Sequence, residues 1–478
     1  MSQILAFDLG GSSLRLALVA PDGRFLAYIR KPIAIEHKHD GHFEVEPAVW
    51  WQAFEDGCAE LAAEGHDFAS VTAVAGCGFT RTQVFLDKNG SSVRPAITFQ
   101  DSRATEALEE FRANAPSEVA DALEVLNPFD PLARLLWLRV YEPDTWSMVH
   151  KILEPKDYLN LRLTGNAVSD QISQMPMTRN LAAGPDALLS ALGINLGFLP
   201  SRKSPYDQIG TLLPGLPYPL SEMSGIPVYC GSFDTWCCVL GSGALKDGAA
   251  YNISGTSDVS GVLSQTHSSA PGLLTVEWGP GLWQLGGPSQ GASTRIDWAL
   301  DRFCPDLPRN LALKRALRDR GSAPLFLPYL DGERTPHWDS DMRGAFLGLS
   351  SFHENPDFIR GVAEGINYLS RDVLHRAERA IGDGVTYVSF SGGLSGSPEL
   401  CQLKADILAR PVRVPQNSET GLLGAAKIPP SSSTERDTAQ DQYVTYRPNA
   451  DQRQYHDARF RVFREATKSL QPLSLEVA

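Results

Sequence analysis

The sequence predicts an α/β protein made of two related halves, and three observations carry that expectation. Short apolar runs of strand character alternate with longer stretches at helical spacing, the pattern of sheets covered by helices. The opening run ILAFDLGGSSLRLALVAPDG reads as strand, Gly/Ser turn, strand and PDG turn, and GAAYNISGTSDVSGVLS repeats that theme in the second half, its SGTS echoing GGSS. At 478 residues the chain is also too long for one core of ordinary size, so two or three domains are expected. A duplicated domain with a cleft between its halves satisfies all three.

Taken in order, the first strand ends near Asp8. A helix over Glu46 to Ala63 carries Trp50, Trp51, Phe54 and Leu61, and SVTAVAGCGF follows as a buried strand. The intervening EHKHDGHFE reads as a polar loop. His37, His39 and His42 have a spacing that permits a metal site, but a solvated loop accounts for them as well. Pro131 to Tyr141 is a second amphipathic helix. VYCGSFDTWCCVLGSGAL then places Asp234 between a short strand and a helix start, among small and apolar residues. Cys237 and Cys238 beside it read as small apolar packing rather than redox partners. Late in the chain YVSFSGGLSGSPELCQLKADIL has the order strand, Gly-rich loop, helix. The polar stretch PPSSSTERDTAQDQY is expected to be a linker, and Tyr455 to Leu470 a terminal helix.

Composition narrows the function. Forty-three basic against 56 acidic side chains leave a formal charge of −13, which argues against broad electrostatic binding to nucleic acid or to an anionic membrane. The seven cysteines show no CxxC pair, as suits a reduced cytoplasm. The start MSQILAFDLGG lacks the basic, apolar pattern of a leader, and no apolar run reaches membrane-spanning length.

Backbone N–H groups and hydroxyls in Gly/Ser turns make nests for phosphate oxygens, and a Gly-rich loop before a helix presents helix N-terminal amides to an anion. Neither a P-loop nor GxGxxG is present. Each turn by itself also fits an ordinary hairpin or a plain strand-to-helix turn. Three of them in two halves share one simple explanation, a nucleotide. Asp234 raises a separate question, because an unpaired buried carboxylate costs several kcal/mol; it is either a helix N-cap or a group that chemistry uses.

The segment FLPYLDGERTPHWDSDMRGAFLGLS closely resembles the corresponding stretch of the FGGY family of carbohydrate kinases, most of all its xylulokinase branch. GAFLGL followed by DFIRGVAEGI is similar to the family's second signature, with Gly361 where Ala or Ser is usual. DPLARLLWLRVYEPD is similar to the first, with Arg134 where Lys is common. ILEPKDYLNLRLTG resembles a substrate-domain stretch and SFSGGLSGSPELCQLKADIL the adenosine motif, so the resemblance runs over nearly the whole chain.

The resemblance implies an α/β fold of two actin-like (ribonuclease H-like) domains with an interdomain active-site cleft. Residues 1–242 would form the N-terminal domain, with sugar binding, the first phosphate hairpin and the catalytic Asp, and residues 243–478 the nucleotide-binding C-terminal domain. ATP and Mg2+ are the implied cofactors, and a small sugar or polyol the partner, in a cytoplasmic protein whose assembly, a homodimer among the options, the sequence leaves open. By the same match Asp234 is the general base, and Asp8 acts on the metal through water. Gly11, Ser12, Ser13 and Arg15 lie along the γ-phosphate, and Gly11 replaces the family's usual Thr. Gly255 and Thr256 approach the phosphates from the other domain, and Gly392, Gly393 and Ser397 match the adenosine loop. Glu333, Arg334 and His337 of ERTPHWD form a hinge or wall.

Around the acceptor the pattern departs from xylulokinases. Thr80 and Arg81 stand where Met and His are expected, and Thr235, where Asn is common, is followed by Trp236. Arg81 either hydrogen-bonds a polyol or pairs with Asp101; Asp101 and Arg103 of QDSRA resemble an acidic element that supports the pocket. The leading expectation is a kinase for a ketopentose, with a glycerol- or erythritol-type polyol as the alternative. A catalytically weak sugar sensor and an actin-like ATPase are the remaining classes.

Overall fold

The computed structural model describes residues 2–39, 41–115, 120, 123, 126–175, 189, 193–255, 258–318, 323–430 and 443–473. The chain divides into two compact units, one of Met1–Cys237 with Gly421–Ala439, the other of Cys238–Thr420 with Gln440–Ala478.

The first unit is organised by a seven-stranded sheet. β1 (Gln3–Leu9) and β2 (Ser13–Val19) form the expected hairpin, β3 (Phe25–Pro32) continues it, and β4 (Val71–Gly78) pairs parallel to β1 on the other side. β5 (Gln208–Thr211) and β6 (Pro227–Tyr229) extend the sheet in the order β5-β6-β4-β1-β2-β3, and β7 (Ser232–Phe233) pairs with β4. Period-two alternation separates the faces of β1. Leu5, Phe7 and Leu9 join the core under helix α1 (Pro47–Ala63), with Trp50 and Phe54. Ala6 packs on Leu422 and Ala425 instead. Phe7 and Phe54 meet edge to face at 5.7 Å, and each such fully buried side chain stabilises the fold by about 2–3 kcal/mol. Helix α2 (Pro131–Tyr141) lies in a separate core with Phe85, Ile97 and Leu108, and helix α3 (Pro155–Thr164) follows it. Helix α4 (Asp234–Gly241) begins directly after β7.

One local expectation is corrected. EHKHDGHFE is not a loop but an antiparallel hairpin, Glu36–His39 against His42–Val45, whose second strand also pairs with Ala96–Ile97. Gly41 supplies the positive φ of +78° for the turn, and backbone pairing overrides the polar composition.

The second unit repeats the arrangement. β8 (Ala250–Ser254) and β9 (Asp258–Ser264) form an antiparallel hairpin, β10 (Leu274–Gly279) and β11 (Leu282–Pro288) continue it, and β12 (Val388–Ser391) runs parallel to β8. With β13 (Val412–Pro415) and β14 (Tyr443–Tyr446) the order is β10-β11-β9-β8-β12-β13-β14. In both units, then, a hairpin's first strand pairs parallel with a later strand, the duplication that GGSS and SGTS suggested. Helix α5 (Ser293–Phe303), the long α6 (Asn355–Ile381), α7 (Pro398–Leu408) and α8 (Ala450–Leu470) contribute to the apolar cores of this unit. The terminal helix starts five residues before the expected Tyr455. Most of the expected linker, residues 431–442, lies outside the described residues.

Candidate active site

In the first unit the carboxyl ends of three mutually parallel strands meet, the place where open α/β sheets present ligand-binding groups. Asp8 lies opposite Cys77 in the β1–β4 pairing, and Ser232 and Phe233 of β7 lie opposite Cys77 and Gly78. Asp8 on β1 and Asp234 just beyond β7 are therefore held at the same end of the sheet. Gly231 makes the entry to β7 possible: its φ is +69°, and a Cβ there would stand 1.8 Å from the Gly76 carbonyl oxygen.

Asp8 is 6% exposed and accepts a hydrogen bond from Arg15 Nη1 at 2.9 Å. Asp234 is half-buried. Its Oδ1 accepts from the Thr235 N–H at 2.6 Å and the Thr235 hydroxyl at 3.2 Å, while Oδ2 has no hydrogen bond among the described residues. Burial first, and then the negative charge of Asp8, raise the Asp234 pKa to about 6 against the opposing pull of Thr235 and Arg15. A carboxylate held by one oxygen, with the other open and a pKa near neutrality, can take a proton from a hydroxyl.

The turn between β1 and β2 presents Ser12 to solvent. Ser13 is buried, so of the two hydroxyls only Ser12 is open to a ligand from outside. A Cβ on Gly11 would make ordinary contact with Phe99 at 3.5 Å.

The segment after β4 carries Thr80, half-buried, and Arg81, exposed and in the left-handed region at φ 59°. That uncommon backbone is pinned from both sides. Arg134, fully buried, donates to the Arg81 carbonyl, to Gln83 Oε1 at 2.8 Å and to the Asp101 carbonyl at 3.3 Å. Glu154 Oε2 accepts from the Thr82 N–H at 3.1 Å, and burial raises the Glu154 pKa to about 8. The Asp101 carboxylate is fully buried and already engaged: Arg103 Nη2 donates at 2.7 Å and the Phe43 N–H at 2.7 Å. Asp101 thus holds Arg103 and the hairpin, and Arg103 lies over the Trp137 ring at 4.8 Å.

Sequence reasoning missed the group behind this site. Lys156 Nζ, fully buried, lies 2.5 Å from Asp157 Oδ1 and 3.2 Å from Asp170 Oδ2, and donates to the Cys230 carbonyl at 3.1 Å; Ser232 Oγ donates to Asp170 at 2.8 Å. The strand β7, just before Asp234, is thereby tied to α3. The signal was EPKD, four residues with three charges between two apolar runs. Among the described residues no group of three or more His, Cys, Asp or Glu side chains forms a metal cage. A single buried carboxylate, Asp8, with a second close enough to feel its charge, suits Mg2+, which keeps waters and substrate phosphates as its other ligands.

In the second unit the turn after β12 packs against the end of β8. Gly392, at φ +92°, approaches so closely that a Cβ would lie 2.5 Å from the Ser254 carbonyl oxygen. Gly255 accepts from the Ser293 N–H at 3.1 Å, and Thr256 lies outside the described residues. Gly393 is exposed with open space where a side chain would be, and the Ser397 hydroxyl caps α7 by accepting from the Leu400 N–H at 3.3 Å. Glu333 is buried against Arg295 at 2.9 Å, and Arg334 donates to the Ser289 carbonyl, so this part of ERTPHWD is built into the interior.

Comparison with known proteins identifies the family. Two family models match, the N-terminal domain of the FGGY family of carbohydrate kinases over residues 3–241 and its C-terminal domain over residues 250–428. A xylulose kinase of Lactococcus lactis subsp. lactis (strain IL1403) is 29% identical over 420 residues, 85% of this chain and 83% of that one. A glycerol kinase of Nitrosomonas eutropha (strain DSM 101675 / C91 / Nm57) is 27% identical over 449 residues, 88% of each. The crystal structure of ligand-bound xylulose kinase from Lactobacillus acidophilus shares the fold with a TM-score of 0.88 at 21% identity, covering all of both chains. Among the described residues no helix is long and apolar enough to cross a membrane. With both family models matched in order over most of its length, the chain belongs to the FGGY family of carbohydrate kinases and is an ATP-dependent sugar kinase, a phosphotransferase with an alcohol group as acceptor.

Proposed function

We propose that the protein transfers the γ-phosphoryl group of ATP to a hydroxyl of a ketopentose, with Asp234 as general base. The observation that carries this reading is the state of Asp234: one oxygen anchored by Thr235, the other open, and a pKa raised to about 6 by burial and by Asp8. In the reaction the acceptor O–H proton passes to Asp234 Oδ2, the oxygen forms a bond to the γ-phosphorus, and the bond from that phosphorus to the bridging oxygen breaks to release ADP. Phosphoryl transfer needs positioning and charge neutralisation more than covalent help. Asp8 would hold Mg2+, which neutralises phosphate charge when bound. Ser12, with the turn backbone at Gly11, and Arg15 would line the phosphate, while Gly255, Thr256, Gly392, Gly393 and Ser397 would serve the nucleotide in the second unit.

Thr80, Arg81 and Thr235 would line the acceptor site, with Asp101 in support. A polyol acceptor is the second reading. It rests on Arg81, an exposed guanidinium on a backbone that Arg134 and Glu154 hold rigidly, and so able to present hydrogen-bond donors to a chain of hydroxyls. ADP release with MgATP across ketopentoses, ketohexoses, glycerol and four- or five-carbon polyols tests both readings, with Asp234→Asn as control. A single strong acceptor that depends on Asp234 supports the reading and chooses between sugar and polyol. ATP binding without turnover on any acceptor would overturn it in favour of a sensor.

A further inference from the structure

Asp234 stands at the end of a strand too short to hold it. β7 pairs with β4 through two residues, Ser232 opposite Cys77 and Phe233 opposite Gly78, and the residue before it, Gly231, turns in the left-handed region at φ +69°. So short a ladder leaves the direction of the chain, and with it the placing of the carboxylate, to the side chains around it. At their centre is Lys156, in the first turn of α3 and 1% exposed.

Three oxygens surround the Lys156 ammonium: Asp157 Oδ1 at 2.5 Å, Asp170 Oδ2 at 3.2 Å and the Cys230 carbonyl at 3.1 Å. The Asn160 amide donates to the same Cys230 carbonyl at 2.9 Å. Asp170 in turn accepts at Oδ1 from the Ser232 hydroxyl at 2.8 Å and from the N–H groups of Ile172 at 3.0 Å and Ser173 at 2.9 Å. The lysine stem runs past both strands, since a Cβ on Gly78 would lie 3.2 Å from Lys156 Cβ and one on Gly231 3.4 Å from Lys156 Cδ. Cys230, Gly231 and Ser232, the approach to Asp234, are thus held by one helix side chain, directly or through Asp170. Burial alone would lower the Lys156 pKa, but Asp157 and Asp170 hold it well above that of an ordinary lysine, so the ammonium stays charged. Stability does not account for such a group. Desolvation costs several kcal/mol per ion, and an apolar cluster of similar volume is often as stable or more so. What the charges supply, and an apolar cluster does not, is direction, because each contact joins a fixed donor to a fixed acceptor.

We propose that Lys156 is a positioning residue for the phosphoryl transfer: it fixes the chain from Cys230 to Ser232 so that the Asp234 carboxylate meets the acceptor hydroxyl. Lys156 touches no reacting atom and acts only through β7, a role that rests on the reading of Asp234 as general base. Misplacing a reacting group by about 1 Å can cost about 100-fold in rate. Loss of Lys156 therefore lowers kcat and leaves nucleotide affinity in place.

The test is a double-mutant cycle on the full chain. Turnover is measured as ADP release with MgATP and the strongest acceptor of the ketopentose and polyol panel, for the wild type, Lys156→Met, Asp234→Asn and the double variant, with ADP Kd by calorimetry alongside. In Lys156→Met kcat should fall about tenfold or more with ADP Kd unchanged. The double variant should turn over no more slowly than Asp234→Asn, because a base that is absent cannot be misplaced. Loss of the same factor in both backgrounds would overturn the role and leave Lys156 a structural residue, as would an undiminished kcat in Lys156→Met. Near-normal turnover in Asp234→Asn, or none by the wild type on any acceptor, would bring down the reading of Asp234 and this role with it, and both are read without the lysine variant. Should Lys156→Met not fold, Ser232→Ala keeps the buried charges and cuts only the link from Asp170 to β7. Carried through the same cycle, it should lose about threefold or more in kcat with the same lack of additivity, and an additive loss would overturn the role.

Discussion

Arg15 donates to Asp8 at 2.9 Å across neighbouring strands, and the two act on Asp234 in opposite senses, Asp8 raising its pKa and Arg15 lowering it. Removing the guanidinium should therefore make the Asp234 carboxyl harder to ionise. In Arg15→Gln the acidic limb of kcat/KM against pH should move to higher pH than in the wild type. A limb that stays in place or moves down would show that Arg15 does not act on this carboxylate.

Asp234 is useful as a base only when ionised, and its pKa stands at about 6. Wild-type turnover should accordingly rise with pH through that value and level off above it. Asp234→Asn should lower kcat by roughly 100-fold or more, abolish the acidic limb, and leave ADP affinity as it was. Near-normal turnover in this variant would remove Asp234 from the mechanism.

Glu154 gives a stability prediction with a definite sign. Its folded pKa of about 8 lies above the ordinary 4.5, so between those values the native state binds more protons than the unfolded one. Its contribution to stability is then present at low pH and is lost as pH rises from about 4.5 to about 8. Glu154→Gln removes that dependence, and its Tm relative to the wild type should increase from pH 5 to pH 8. A difference that is flat or falls with pH would contradict the buried, protonated state.

Arg134 satisfies the Arg81 carbonyl, Gln83 Oε1 and the Asp101 carbonyl from a fully buried position. Arg134→Ala leaves those acceptors orphaned and a cavity behind, a loss of about 3 kcal/mol or more at about 1–3 kcal/mol for each unsatisfied group. Urea unfolding measures the loss. In any variant that still folds, KM for the acceptor should rise more than KM for ATP, because the Arg81 backbone is no longer held.

Gly392 combines a left-handed backbone with a close approach to the Ser254 carbonyl. Gly392→Ala should lower Tm and weaken ADP binding together, since the turn after β12 must move away from the end of β8 to admit one methyl group. Unchanged ADP affinity would mean that this contact does not shape the nucleotide site.

The sequence by itself determined the parts that local interactions control. Alternating apolar residues and Gly/Ser turns specify the β1–β2 and β8–β9 hairpins, whose partners are adjacent in the chain, and the strand before Asp234 ends in a recognisable helix start. Tertiary structure decided what lies beside what. Asp8 and Asp234 come to the same end of one sheet only because β1, β4 and β7 pair in parallel across a long stretch of chain. Leu422 and Ala425, far along the chain, return to cover the Ala6 face. Arg134, read from its motif as an ordinary signature position, holds the backbone at Arg81 through three acceptors distant in sequence. Hydrophobic period and turn chemistry are local quantities, readable one residue at a time. The burial of a charge and the choice of its partner depend on contacts that exist only after the chain has folded.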